Sequence, residues 1–283
     1  MTAAVAAAGP AVDRAALRAI ARSAVASLHA ELVLSPKPGL VCPGDRGSHD
    51  DMDATTMMRS LFALRHGFVA MVDAAAADAM FGTLQAIGIA AERAMRRATG
   101  DVNTHRGAIF TLGLLSAAAA QVVVRGIPMT PEILRQTLRA RWGTALTMRP
   151  VIDVTHGRAM ASQYRAGGAR AEAAAGFPSV FDVVLPALRD ARSAGHDERG
   201  ARLQALMTAI ADLEDTNLLY RGGGDGLRFA QSSARRFLAC GIEGRDESLR
   251  AIGRDFVARR LSPGGSADLL AAALFVDRLT APS

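Results

Sequence analysis

The sequence predicts an all-α fold, a single compact multi-helix domain with Gly/Pro-rich loops between its helices. Three observations carry that reading. Apolar residues recur three and four apart in most periodic runs, whereas the alternation that marks strands is nearly absent. Half of the residues are hydrophobic but only 5% are aromatic, and alanine is abundant, which favours closely approaching helices. Glycine and proline come in short clusters that punctuate the periodic runs.

The elements follow in order. Residues 1–12, MTAAVAAAGPAV, lack the basic start and apolar centre of a secretory signal and read as a flexible tail. Asp13 to about Val33 is an amphipathic helix with Leu17, Ile20, Val25 and Leu28 inward. SPKPGLVCPGDRGSHDD forces a loop. MDATTMMRSLFALRHGFVAMV resumes the helical period, with Asp50 to Asp53 in its opening turn, and FGTLQAIGIAAERAMRRAT is a third helix stopped by Gly100. Gly107 to Val124 is uncharged and approaches the length of a membrane span, yet it contains Ser, Thr, Gln and Gly and stands alone. It is therefore assigned to the core, and no membrane partner is expected.

PEILRQTLRARWG is a short helix with Pro131 near its start, and THGRAMASQYRAGGAR is another, breaking at Gly167–Gly168. AEAAAGFPSVFDVVLPALRDARS opens the second half. ARLQALMTAIADLEDTNLLYRGG reads as one long helix ending in glycines, and LSPGGSADLLAAALFVDRL opens with a Pro-Gly-Gly loop and a Ser266 cap. No repeat and no low-complexity linker divides residues 13–283, so they form one helical domain.

Charge narrows the partners. The formal charge is +6, mostly from scattered arginines with few aromatic neighbours. A nucleic-acid binder would show a basic stripe with stacking aromatics, so no nucleic-acid partner is expected. Arginine suits bidentate phosphate contacts, which admits a polyphosphate-bearing small molecule, although solvated helix faces account for the charge alone. Cys42 and Cys240 are the only cysteines and have no paired spacing, which points to a reducing, cytoplasmic compartment.

The chemistry-bearing residues fall in short motifs. In GSHDDMD, His49 and Asp53 are four apart and Asp50 and Asp53 three apart, so a helix would put them on one face. A cap needs one acidic residue, whereas Asp50, Asp51 and Asp53 together suit Mg²⁺, which takes oxygen ligands alongside substrate phosphates. In LEDTNLLYRGGGDG, Asp212 and Asp215 sit one turn apart among leucines, followed by Asn217 and Arg221. In NTHRG, Asn103 and Thr104 read as cap chemistry, His105 alone as a structural histidine, and Arg106 with the free amides of a helix start as an anion site. SPKPG with Lys37, and SPGGSAD with Ser262, Gly264, Gly265 and Ser266, look like lids over an anionic ligand; neither is a Walker loop. On these residues alone three readings stay open. One is an all-helical Mg²⁺ enzyme acting on a nucleotide polyphosphate. Another is a metal phosphohydrolase built on His49–Asp50 with His105 and His156, and the third is a helical interaction module.

Together the motifs ELVLSPKPGLV, GSHDDMD, ATGDVNTHRGAIFTLGLL, THG, AEAAAGFPSV, DTNLLYRGG and LSPGGSADLLA resemble, in order, the triphosphoribosyl-dephospho-coenzyme A synthase family, over residues 28 to 276. GSHDDMDATTMMRSLFALRHGF is more similar to the malonate-decarboxylase branch than to the citrate-lyase branch. Asp101 departs from the pattern by replacing a second glycine, and Arg106 by replacing a lysine. The resemblance implies transfer of the 5-triphosphoribosyl group of ATP to the 2′-hydroxyl of 3′-dephospho-coenzyme A, with release of adenine. The product would pass to a transferase and an acyl carrier protein. The resemblance further implies that Asp50, Asp51 and Asp53 hold Mg²⁺ and triphosphate with Lys37 and Arg106. Asp212 and Asp215 would flank the ribose as base or charge stabiliser and Asn217 would orient a ribose hydroxyl. His49 or His105 would be the acid toward adenine. Asn103, Thr104, Arg221, Ser262, Gly264, Gly265 and Ser266 would complete substrate binding, and a homo-oligomer stays open.

Overall fold

A computed structural model describes residues 13–148, 168–240 and 245–281. The helices are α1 (Arg14–Leu32), α2 (Ala54–Ala76), α3 (Phe81–Thr99), α4 (Arg106–Val124), α5 (Pro131–Thr147) and α6 (Gly168–Ala174). A π-helical turn (Ser179–Val184) runs into α7 (Leu185–Ser193), followed by α8 (Glu198–Asp212), α9 (Thr216–Ala239), α10 (Arg245–Ala258) and α11 (Gly264–Thr280). Among the described residues there is no strand, only an isolated bridge between Cys42 and Asp45. The fold is all-α and single-domain, as the periodicity requires. The expected tail 1–12 and the expected helix THGRAMASQYRAGGAR, apart from its last residues, lie outside the described residues.

Capping chemistry fixes most helix starts. Asp13 accepts from the N–H groups of Ala15 and Ala16, Thr130 from Ile133 beside Pro131, and Asp197 from Gly200. Gly100 ends α3 in the left-handed region at φ 67°, and Asp101 follows at φ 70°. A second glycine would suit that backbone; aspartate is among the side chains that tolerate it. Here Arg96 holds Asp101, bonding both its carbonyl at 3.0 Å and its carboxylate at 3.1 Å.

Helix α4 is the centre of the core. It is buried along almost its whole length and packs against α1, α2, α3, α5 and α11. By length and composition it could cross a membrane, but its apolar sides are covered by those helices. Its alanines, Ala117 to Ala120, admit neighbours at close range, and Gln121 satisfies its amide on the Ala75 carbonyl. Helix α11 is its counterpart: Leu269 to Val276 are all buried, and the helix also packs on α1, α8 and the π-helical turn. Each buried leucine contributes about 1.5–3 kcal/mol, so these helices are held by burial on every side.

Several sequence expectations are corrected. Asp50 and Asp51 precede α2, because Asp53 takes the cap in extended conformation (φ −143°, ψ −179°) and accepts from Thr56. The shared helical face of His49 and Asp53 therefore does not arise. LEDTN is a break between helices, since Asp215 (φ −63°, ψ 112°) caps α9. The glycines after it lie inside α9, which kinks at Gly223 (φ 60°, ψ −164°) and continues to Ala239. Pro263, not Ser266, occupies the cap position of α11. Helix α5 extends past Gly143 to Thr147, and α10 had no predicted counterpart.

Candidate active site

The polar motifs, far apart in sequence, meet where α1 ends and α4, α9 and α11 begin. Asp215 joins two of those helix starts. Its Oδ1 accepts from the N–H groups of Asn217 (2.9 Å) and Leu218 (3.4 Å), and its Oδ2 accepts from the N–H (2.8 Å) and hydroxyl (3.0 Å) of Ser266. It is 1% exposed, and Ser266 is fully buried. Gly265 and Gly264 make the approach possible: a Cβ on the first would lie 3.1 Å from the Asp215 carboxylate, and on the second 2.8 Å from the Asn217 amide. Burial raises the Asp215 carboxyl above its ordinary range, against the four donors that favour the charged form.

Asp268, in the first turn of α11, joins it to α4. Its carboxylate occupies the space a Cβ on Gly107 would need, and the Ala108 N–H donates toward it. Burial raises this carboxyl well above the usual range, and the negative charges of Glu31 and Asp215 add to the effect. Glu31, at the end of α1, is in turn bonded to Lys37 of the SPKPG loop, whose ammonium also donates to the Glu31 carbonyl at 2.7 Å. Lys37 is 3% exposed, so its charge is held inside the protein by this partner.

His105 stands at the start of α4 and is 3% exposed. Its Nδ1 is hydrogen-bonded to Ser60 of α2 at 2.7 Å, and the Thr104 hydroxyl donates to Ser60 at 2.8 Å. Its Nε2 is buried without a partner. Burial, with the Lys37 charge, lowers its pKa to about 3, so the ring is neutral. His49 is also lowered, by burial and by Arg221, with Asp51 and Asp50 pulling the other way. Arg221 can only donate, and it meets His49 Nδ1 at 3.1 Å; the proton is therefore on Nε2, which donates to Ser262 at 2.9 Å. Arg221 also donates to the carbonyls of Ser48 (3.0 Å) and Arg260 (3.3 Å), and Ser48 donates to the Leu261 carbonyl at 2.6 Å. GSHDD, α9 and the SPGG loop are locked together by these bonds.

The remaining expected residues lie nearer the surface. Asp50, Asp51, Asn103, Asp212 and Asn217 are exposed, and Asp53 is half-buried with its Oδ1 committed to Thr56. Arg106 pairs with Glu92 of α3 at 3.3 Å. Among the described residues no three His, Cys, Asp or Glu side chains gather as a metal-binding group. A cavity of about 500 Å³ between α5 and α6 includes none of the motif residues. Sequence reasoning missed Glu31, Ser60, Gly107 and Asp268. Glu31 had a signal, a charged residue three positions beyond the inward Leu28; Asp268 had one too, an acid set directly against LLAAALFV.

Comparison with known proteins gives this all-helical chain its class: it is a transferase. The CitG family model, described as ATP:dephospho-CoA triphosphoribosyl transferase, matches residues 17–283. A probable 2-(5″-triphosphoribosyl)-3′-dephosphocoenzyme-A synthase of Azotobacter vinelandii is 43% identical over 267 residues, covering 90% of this chain and 89% of the relative. The 2-(5″-triphosphoribosyl)-3′-dephosphocoenzyme-A synthase of Pectobacterium atrosepticum is 41% identical over 256 residues, covering 87% and 84%. A probable synthase of the same name from Pseudomonas fluorescens is 41% identical over 269 residues, covering 92% and 91%. No solved structure matches significantly. The chain belongs to the triphosphoribosyl-dephospho-CoA synthase family.

Proposed function

We propose that this chain transfers the 5-triphosphoribosyl group of ATP to the 2′-hydroxyl of 3′-dephospho-coenzyme A and releases adenine. The observation that carries the reading is the meeting of α4, α9 and α11 starts around Lys37, Glu31, Asp215 and Asp268. Helix starts favour a polyanion such as triphosphate. Displacement at the anomeric carbon passes through an oxocarbenium-like state that nearby carboxylates stabilise.

The roles follow from that chemistry. Arg221 and the Gly264 and Gly265 amides, which Asp215 leaves free at the start of α11, bind the triphosphate, with Asn103, Thr104, Arg106 and the rest of the SPGG loop at its rim. Asp215, fixed by its donors, supplies negative charge beneath the ribose, and Asn217 orients a ribose hydroxyl. Asp212, exposed at the end of α8, takes the proton of the attacking 2′-hydroxyl. Asp50, Asp51 and Asp53 do not gather into a preformed metal-binding group among the described residues; the exposed carboxylates of Asp50 and Asp51 would each offer an oxygen to a Mg²⁺ that arrives bound to the substrate phosphates. Bound there, Mg²⁺ would neutralise the triphosphate, which the reaction spares.

The product would be the precursor of the prosthetic group of malonate decarboxylase, handed to a transferase and then to the acyl carrier protein in the cytoplasm. The GSHDDMDATTMMRSLFALRHGF segment supports this branch over citrate lyase. Purified chain with Mg²⁺, ATP and dephospho-coenzyme A is expected to give adenine and one coupled product by mass spectrometry. Release of phosphate without adenine would favour a phosphohydrolase instead. In cells, loss of the chain should leave the malonate decarboxylase carrier without its prosthetic group while any citrate lyase carrier keeps its own.

A further inference from the structure

We propose that Asp268 is the acid that protonates the departing adenine, a role that rests on the transfer reaction proposed above. As the C1′–N9 bond breaks, its electron pair goes to the base, which leaves readily only when a ring nitrogen receives a proton. In the same step the 2′-oxygen of the acceptor bonds to C1′. The hydroxyl proton passes to Asp212 and on to solvent, the Asp268 proton stays on adenine, and solvent restores Asp268. One proton is released and one taken up, so the step balances.

The geometry singles out this carboxyl. It sits between the starts of α4 and α11, only half-buried, in the space left by the missing side chain of Gly107. The groups that face it are Glu31 from α1, Asp215 from the start of α9 and the Ala108 N–H of α4. The buried Lys37 is committed to Glu31. Burial, with the negative charges of Glu31 and Asp215, disfavours a charge on Asp268 and so favours the protonated carboxyl that an acid catalyst needs. The histidines expected in that role are both neutral: His49 receives Arg221 on Nδ1, and His105 is sealed against Ser60. The buried Nε2 of His105 has no hydrogen-bond partner in the protein, and the Lys37 charge acts on the same ring.

The test compares ATP with N7-methyl-ATP, whose base already carries the positive charge that a proton would give. With Asp268→Asn, base release from ATP is expected to fall about 10²–10⁴-fold, while release from N7-methyl-ATP stays within a few-fold of the unmodified chain. In the unmodified chain, turnover of ATP should decline as pH rises through the raised carboxyl pKa, and turnover of N7-methyl-ATP should not. Equal losses with both donors, no loss with ATP, or identical pH profiles would overturn the proposal. Should the variant fail to fold, the two pH profiles of the unmodified chain decide alone. An unmodified chain that releases no adenine from ATP sinks the transfer reading and this role with it. Adenine release that survives Asp268→Asn sinks only the role.

Discussion

At the residue scale, Gly107 and Asp268 define each other. A methyl at residue 107 would overlap the Asp268 carboxylate, so Gly107→Ala must displace that side chain from its place between α4 and α11. Overpacking of this kind costs about 1–3 kcal/mol, measurable as a lower urea midpoint, and adenine release should fall with it. Asp268 also sets a pH dependence. Its carboxyl is raised in the folded chain, so the folded state binds more protons than the unfolded one once pH exceeds the ordinary value of 3.8. The resulting penalty is absent below that pH, grows as pH rises, and levels off above the raised pKa. Asp268→Asn removes it, so its melting temperature should exceed that of the unmodified chain at neutral pH and converge toward it near pH 4. A variant that melts lower at every pH would contradict this. Residue identities of this kind were partly legible: Lys37, Asp215 and Ser266 stood out as polar groups among glycines and leucines. Gly107 did not, because the need for glycine there comes from a carboxylate 161 positions further along the chain.

At the scale of elements, Asp215 ties two helix starts together. Asp215→Ala removes the α9 cap, worth about 1 kcal/mol, and leaves the buried Ser266 donors unpaired, worth about 1–3 kcal/mol more. Denaturant unfolding should register both losses together. Within α9, Gly223 holds a backbone conformation that is essentially glycine-only, so Gly223→Ala should cost about 1–3 kcal/mol through the backbone alone, read as a lower denaturation midpoint. That same glycine explains a misreading. A glycine run after an apolar stretch usually signals a helix end, but here Ala230, Ala234 and Phe237 continue a buried face beyond it, and packing carries the helix through the kink. The start of α2 misled for the opposite reason. GSHDDMD offers several side chains able to cap, and only the placement of the preceding loop against residues 261 and 262 decides that Asp53 does so.

At the scale of the molecule, helical periodicity and the scarcity of strand pattern made the fold class legible, and the uncharged run of α4 made its centre legible. The site was legible as a set of motifs but not as a place. Its joining contacts pair His49 with Ser262, Gly107 with Asp268, and Asp215 with Ser266, and no local signal encodes such distances along the chain. Because α11 lines both the core and the site, truncation before Gly264 should remove activity and cooperativity at once. The shortened chain is expected to keep much of its far-ultraviolet helical signal, bind a hydrophobic dye and unfold without a sharp transition.

The packing of α1 against α11 also has a consequence for biosynthesis. The ribosome delivers α1 first and α11 last of the described helices, with the intervening chain requiring on the order of tens of seconds at bacterial elongation rates. Through that interval the side of α1 destined for α11 has no partner, and Glu31 and Lys37 face a half-built acidic cluster. The site can be completed only once α11 has emerged from the ribosome and packed against α1.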